Sequence, residues 1–132
     1  MPQSSVKESA NEDARLARLT EICLALPEAT RKVVGPHASF SVRDKKFAYF
    51  LDNHHGDGIV AMTCKVLPGD NSALSAANPK HFYIPAYLGP RGWVALRLDV
   101  GPIDWKEVAA LVTWSYKRTA PKRLAALVRE ST

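Results

Sequence analysis

From Trp93 to Asp99 the chain alternates strictly, with Val94, Leu96 and Leu98 on one side and Trp93, Ala95, Arg97 and Asp99 on the other. Only an extended strand sends successive side chains to opposite faces, so this segment predicts a β-strand with one wholly apolar wall. Such a wall has to be covered, and the chain supplies two amphipathic helices that can do it. Leu16, Leu19, Cys23 and Leu26, with Ile22 beside them, make one apolar stripe at helical period and leave Arg15, Arg18 and Glu21 to solvent. Trp105, Val108, Leu111, Val112 and Ser115 make a second stripe that runs on to about Arg118.

Local signals set the expected boundaries. Ser9 and Glu12 have capping-box spacing and Pro27 disfavours helix before it, so the first helix is expected over about Glu12 to Leu26. Asp104 is the expected N-cap of the later helix, with Glu107 at N3 and Ile103 and Val108 spaced as a hydrophobic staple. Phe40 and Val42 alternate with Ser39, Ser41 and Arg43, and Asp44 and Lys45 link them to Lys46–Leu51, apolar on both faces like an inner strand. After the turn formers of Asp52 to Gly58, Val60, Met62, Cys64 and Val66 oppose Ala61, Thr63 and Lys65. These three segments predict an antiparallel meander.

Asp70 is placed to cap a short helix over Asn71–Ala77, and Phe82–Leu88, broken by Pro85, suits an irregular edge segment. Pro121 suits the first turn of a last helix carrying Leu124, Leu127 and Val128. The order is α-β(3)-α-β(2)-α with a terminal helical extension. That is an α+β class, an antiparallel sheet with helices packed on one face. The 132 residues leave little room for two domains, so residues 1–11 are expected as a flexible tail and 12–130 as a single domain.

Several function classes find no support. No apolar run exceeds five residues, against the roughly 20 that cross a bilayer, and the first dozen residues lack the apolar core of a secretory leader. Cys23 and Cys64 stand far apart with no CxxC, as buried, reduced thiols of a cytoplasmic protein would. His54 and His55 are adjacent within Asp-Asn-His-His-Gly-Asp-Gly, which is turn chemistry; a helical zinc site needs i, i+4 spacing. No metal and no other cofactor is expected. Without a nucleophile elbow or a phosphate-binding glycine loop, nothing argues for an enzyme.

Charge is more informative. With 18 Lys+Arg against 13 Asp+Glu the net charge is +5, yet it is unevenly spread. Arg31 to Lys46 is net +4 and Tyr116 to Arg129 net +5, so the remainder is acidic. Segregation of this kind suits a phosphate-tracking surface, and it equally suits solvated faces whose cations complement helix dipoles.

Leu24-Ala-Leu-Pro-Glu28, Phe40-x-Val-x-x-x-Lys46-Phe-Ala48, Lys65, Pro85-Ala-Tyr-Leu88 with Trp93-Val94, and Ser115-Tyr116 occur in this order. In them the chain resembles the MmcQ/YjbR family of small bacterial DNA-binding-like proteins, over roughly Leu16 to Lys122. The resemblance implies an α-β(3)-α-β(2)-α fold similar to secretion chaperone-like domains, and a role in DNA binding. It carries no catalytic residue set.

Two residue sets follow as the expected nucleic-acid contacts. Strand alternation puts Arg43, Lys65, Trp93 and Arg97 on the sheet wall away from the helices, where Trp93 could stack on a base. The terminal helical region adds Lys117, Arg118, Lys122 and Arg123. The alternatives are a protein-interaction or chaperone-like module that pairs with itself or another protein through the Trp93 face, and a small-ligand domain with a pocket beside Tyr87, Trp93 and Tyr116.

Overall fold

The computed structural model describes residues 12–128. In chain order its elements are α1 (Ala14–Leu24), β1 (Thr30–Val34), β2 (His37–Val42), β3 (Lys45–Asp52), β4 (Val60–Lys65), α2 (Asp70–Ala77), β5 (Phe82–Tyr83), β6 (Trp93–Arg97), α3 (Trp105–Thr119) and α4 (Lys122–Ala125). All strand pairings are antiparallel, in the order β1-β2-β3-β4-β6-β5. The α+β class holds, with six strands where the periodicity predicts five.

β1 is the strand that the pattern conceals. Its residues Thr30 to Val34 are exposed throughout, so no apolar alternation marks them. It forms because Gly35, at φ +60°, and Pro36 turn the chain back and pair Val34 with His37. The next hairpin also differs from expectation. Arg43 and Asp44 both have positive φ, the two-residue geometry that matches the twist of the flanking strands, and Lys45 is already paired with Val42.

Helix boundaries shift for capping reasons. Asp13 is the N-cap of α1 and accepts the Arg15 N–H at 2.8 Å, while Glu12 pairs with Arg31 at 2.9 Å. The expected capping box falls on Ser9, outside the described residues, as do the 1–11 tail and Arg129. Gly69, not Asp70, is the N-cap of α2, and Asp70 lies in its first turn. Asp104 caps α3 as its spacing predicts, accepting from the Lys106 and Glu107 N–H groups.

The apolar wall of the sheet is Phe40, Val42, Phe50, Met62, Val94 and Leu98, and Leu19 of α1 with Val108, Val112 and Tyr116 of α3 seal it. Phe47 joins this core because a β-bulge in the β2–β3 ladder sets the register as Phe40↔Ala48 and Ser41↔Lys46. The extra residue breaks the alternation and lets Phe47 and Ala48 both be fully buried. Tyr116 stands edge-on to Phe47 at 5.4 Å and donates its hydroxyl to the Pro27 carbonyl at 2.6 Å. Its neighbour Ser115 sits between two strands. The Ser115 hydroxyl donates to the Phe47 carbonyl at 2.6 Å and accepts the Lys65 N–H at 2.9 Å, one position beyond the last β3–β4 pair, Ala48↔Cys64.

The other sheet face is not an open wall. Ala61, Thr63 and Ala95 are fully buried, too short to rise above the larger side chains that flank them in register. Trp93 is only 7% exposed, its ring 5.5 Å from that of Tyr49. Asn71 ties the β5–β6 connection down beside it, donating to the Gly89 and Trp93 carbonyls at 3.0 and 3.1 Å.

Two measurements test this packing. Ser115→Ala leaves a carbonyl and an N–H unpaired inside the molecule. Orphaned groups cost about 1–3 kcal/mol each, so urea denaturation is expected to show a loss of about 2–3 kcal/mol. Thr63→Val should act in the opposite sense. The Thr63 hydroxyl is buried with no hydrogen-bond partner among the described residues, so the isosteric valine is expected to gain about 1 kcal/mol.

Candidate functional site

Sheet register sorts the charges by end. The Arg43–Asp44 turn stands at one end of β2 and β3, with Lys45 and Lys46 just behind it. Because β4 runs antiparallel to β3, its last residue, Lys65, returns to this end; β6 starts there too, since Trp93 pairs with Lys65. Arg91 lies two residues before Trp93, in a short 3₁₀ turn. The Ser115–Lys65 hydrogen bond brings the C-terminus of α3 to the same place, and with it Lys117 and Arg118. Arg123 of α4 is close enough to bear on the Glu28 carboxyl, which places α4 here as well.

The opposite end collects carboxylates. Asp52 closes β3 there, Asp57 follows in the turn, Asp99 follows β6, and Asp104 and Glu107 begin α3. Asp13 joins them, since its partner Arg15 donates to the Leu98 carbonyl at 3.3 Å. The molecule is therefore electrically polar from end to end. The α3 dipole favours this order, with acids at its N-terminus and cations at its C-terminus.

Among the described residues, Glu28, Asp44 and Asp70 are the carboxylates at the basic end. Arg43 holds Glu28 through two hydrogen bonds of 2.6 and 3.1 Å, which keeps that carboxyl below its ordinary range. A cleft of about 550 Å³ opens at this end between the β4–α2 link and the β5–β6 connection. Lys65, Arg91 and Arg118 line it, with Gly69, Gly89, Gly92 and Asn71, and among the described residues no carboxylate does. Three cations around a backbone-rich hollow can hold an anion that presents several oxygens.

Beside the cleft, Trp114 stands 45% exposed on the outer side of α3. The Lys117 and Arg118 cations lie 5.5 and 5.4 Å from its ring centre. This aromatic is legible in hindsight: Trp114 falls off the buried stripe, with Lys117 and Arg118 at i+3 and i+4. Arg91 carries no comparable signal, being one arginine inside a Gly-Pro-Arg-Gly turn.

The expected sheet-wall site does not form. Arg43 is in the hairpin turn, paired with Glu28, not in the wall. Arg97 is four residues along β6 from Trp93, at the acidic end, and Asp99 holds it at 3.0 Å through both carboxylate oxygens. That pairing lowers the Asp99 carboxyl below its usual range. Trp93 is buried and cannot stack on a base. Of that set only Lys65 reaches the cleft; from the terminal set Arg118 does, while Lys117, Lys122 and Arg123 surround the same end. The three side chains expected to share a pocket stand apart in environment, Tyr87 at 83% exposure, Trp93 buried against Tyr49 and Tyr116 in the core.

The remaining chemistry is quiet. Cys23 and Cys64 are buried free thiols, and burial pushes Cys64 up to about 12, far from thiolate chemistry at neutral pH. The His37 ring meets His54 edge-on at 5.2 Å, and its Nδ1 accepts the Asp52 N–H. Among the described residues no three His, Cys, Asp or Glu side chains gather as a metal site requires, and no helix is long and apolar enough to cross a membrane.

A family model described as YjbR matches residues 24–118. A Deinococcus radiodurans protein with the domain DUF419 has a similar fold, with a TM-score of 0.61 and 22% identity over 76% of this chain and 74% of that one. A Pseudomonas syringae protein is similar at a TM-score of 0.56 and 20% identity, over 70% of this chain and 88% of its own. No curated protein matches the chain.

Proposed function

The chain belongs to the YjbR family, and from that premise we propose that it binds DNA without enzymatic action, through phosphates rather than base edges, at its basic end. The observation that carries this reading is the convergence of Lys65, Arg91 and Arg118 on one cleft that no carboxylate lines among the described residues, with Lys117, Lys122 and Arg123 around it. Duplex DNA carries one charge per roughly 1.7 Å of axis, so a surface of spaced cations engages successive phosphates and releases their counterions. The acidic end, repelled by the same phosphates, orients the molecule as it approaches. Lys65 and Arg91 hold the phosphate within the cleft, and the α4 cations continue the track beyond it.

A second reading rests on a different observation. β1 is an exposed edge strand with Val33 and Val34 open to solvent, so a partner strand could extend the sheet there. A protein interface through the Trp93 face, by contrast, finds that face filled.

Fluorescence anisotropy of a labelled duplex across a salt series tests the DNA reading. The log–log slope is expected near −0.9 per phosphate neutralised, with Lys65→Ala, Arg91→Ala and Arg118→Ala each weakening all sequences alike and shallowing the slope by about one unit. Arg97→Ala, at the acidic end and already paired, should leave affinity within twofold. No binding at low salt, or equal loss from Arg97→Ala and Arg91→Ala, refutes the reading.

A further inference from the structure

The cationic cleft does not end at Arg118. On the other side of that residue a second hollow, of about 620 Å³, runs between α2 and α3. Its walls are mostly apolar: Val66, Leu67, Leu74, Leu111 and Trp114, with Asp70 at one margin. Val66, Leu67 and Arg118 line both hollows, so the two adjoin along these residues and make a depression with a cationic side and an apolar side. Leu67 is 50% exposed within it. Arg118 lies across Trp114 and donates one terminal N–H to the Trp114 carbonyl at 3.2 Å. Its Nε is buried and has no partner among the described residues.

We propose that this depression binds a free amphipathic organic anion, a carboxylic acid with a medium-length aliphatic body. The charges select the head: Arg118 lines both hollows, and Lys65 and Arg91 line the cationic one beside it. The hydrophobic walls select the tail, since Leu67, Leu74 and Trp114 leave apolar surface in water that an alkyl chain would cover. Each hollow falls within the roughly 300–1,000 Å³ range of small-molecule sites, and a few convergent polar groups beside an apolar wall are their usual composition. The inference stands apart from nucleic-acid binding, although Lys65, Arg91 and Arg118 serve both.

Isothermal titration calorimetry with monomeric decanoate is the test, with decanol and inorganic phosphate as the separate halves of the ligand. Saturable decanoate binding is expected, with decanol and phosphate each at least tenfold weaker. Arg118→Gln should reduce decanoate affinity at least tenfold. Ala73→Phe, at an exposed α2 position that lines the apolar hollow and not the cationic one, fills that hollow and should reduce it about tenfold yet leave DNA affinity within twofold. The double variant Lys122→Ala, Arg123→Ala should do the reverse, so a failure of either function is read independently of the other. Absence of saturable decanoate binding, equal affinity for decanol, indifference to Ala73→Phe in a variant whose melting is unchanged, or binding only to anionic phospholipid vesicles would overturn the proposal.

Discussion

Much of this molecule hangs on one hydroxyl. Where β3 and β4 diverge beyond the Ala48↔Cys64 pair, the Phe47 carbonyl and the Lys65 N–H face each other with room for an atom between them, and Ser115 supplies it. A helix is thereby fastened to two strands of the sheet at a position where burial makes an unpaired backbone group costly. The next residue strengthens the attachment, because Tyr116 packs on Phe47 and reaches the Pro27 carbonyl at the end of the first helix. Sheet, α3 and the exit from α1 are held by two consecutive side chains. The bulge that turns Phe47 inward belongs to the same arrangement, since it supplies both the ring and the carbonyl that this pair engages.

The functional end follows from that attachment. With Ser115 fixed against Lys65, Arg118 cannot be far from the same strand end, and the chain that follows α3 carries further cations around it. The antiparallel register brings Arg91 to this end from a separate connection. A local structural bond therefore assembles a charge cluster from residues distant in sequence. The acids at the opposite end come together through the same alternation of strand directions, so the polarity of the molecule is a property of its topology.

Two of the three tryptophans show how tertiary context reverses a reading made from pattern. Trp93 lies on the non-core side of its strand, and alternation alone suggests an exposed ring. Short neighbours, the Tyr49 ring and the tethered β5–β6 connection close over it. Trp114 lies beside a buried helical stripe, and alternation says nothing about it. It stands half in solvent as a wall of the apolar hollow, with Arg118, which also lines the cationic one, across its ring.

Elements with strong local periodicity were legible from the residues alone. The α1 and α3 stripes, the Asp104 cap, the inner strands and the inward direction of Val94, Leu96 and Leu98 all follow from side-chain spacing, because burial of one face imposes that spacing. The Ser115-Tyr116 pair was visible as a motif, but the partners it engages across the fold, Phe47, Lys65 and Pro27, were not. β1 was not legible, since an exposed edge strand buries nothing and so imposes no pattern. Nor was the site. Arg43, Lys65, Trp93 and Arg97 share a parity in the sequence, but parity does not say which end of a strand a residue occupies, which partner neutralises it, or what covers its face. Those are decided by register, by the bulge at Phe47 and by where α3 is fastened, all of them contacts between residues far apart in the chain.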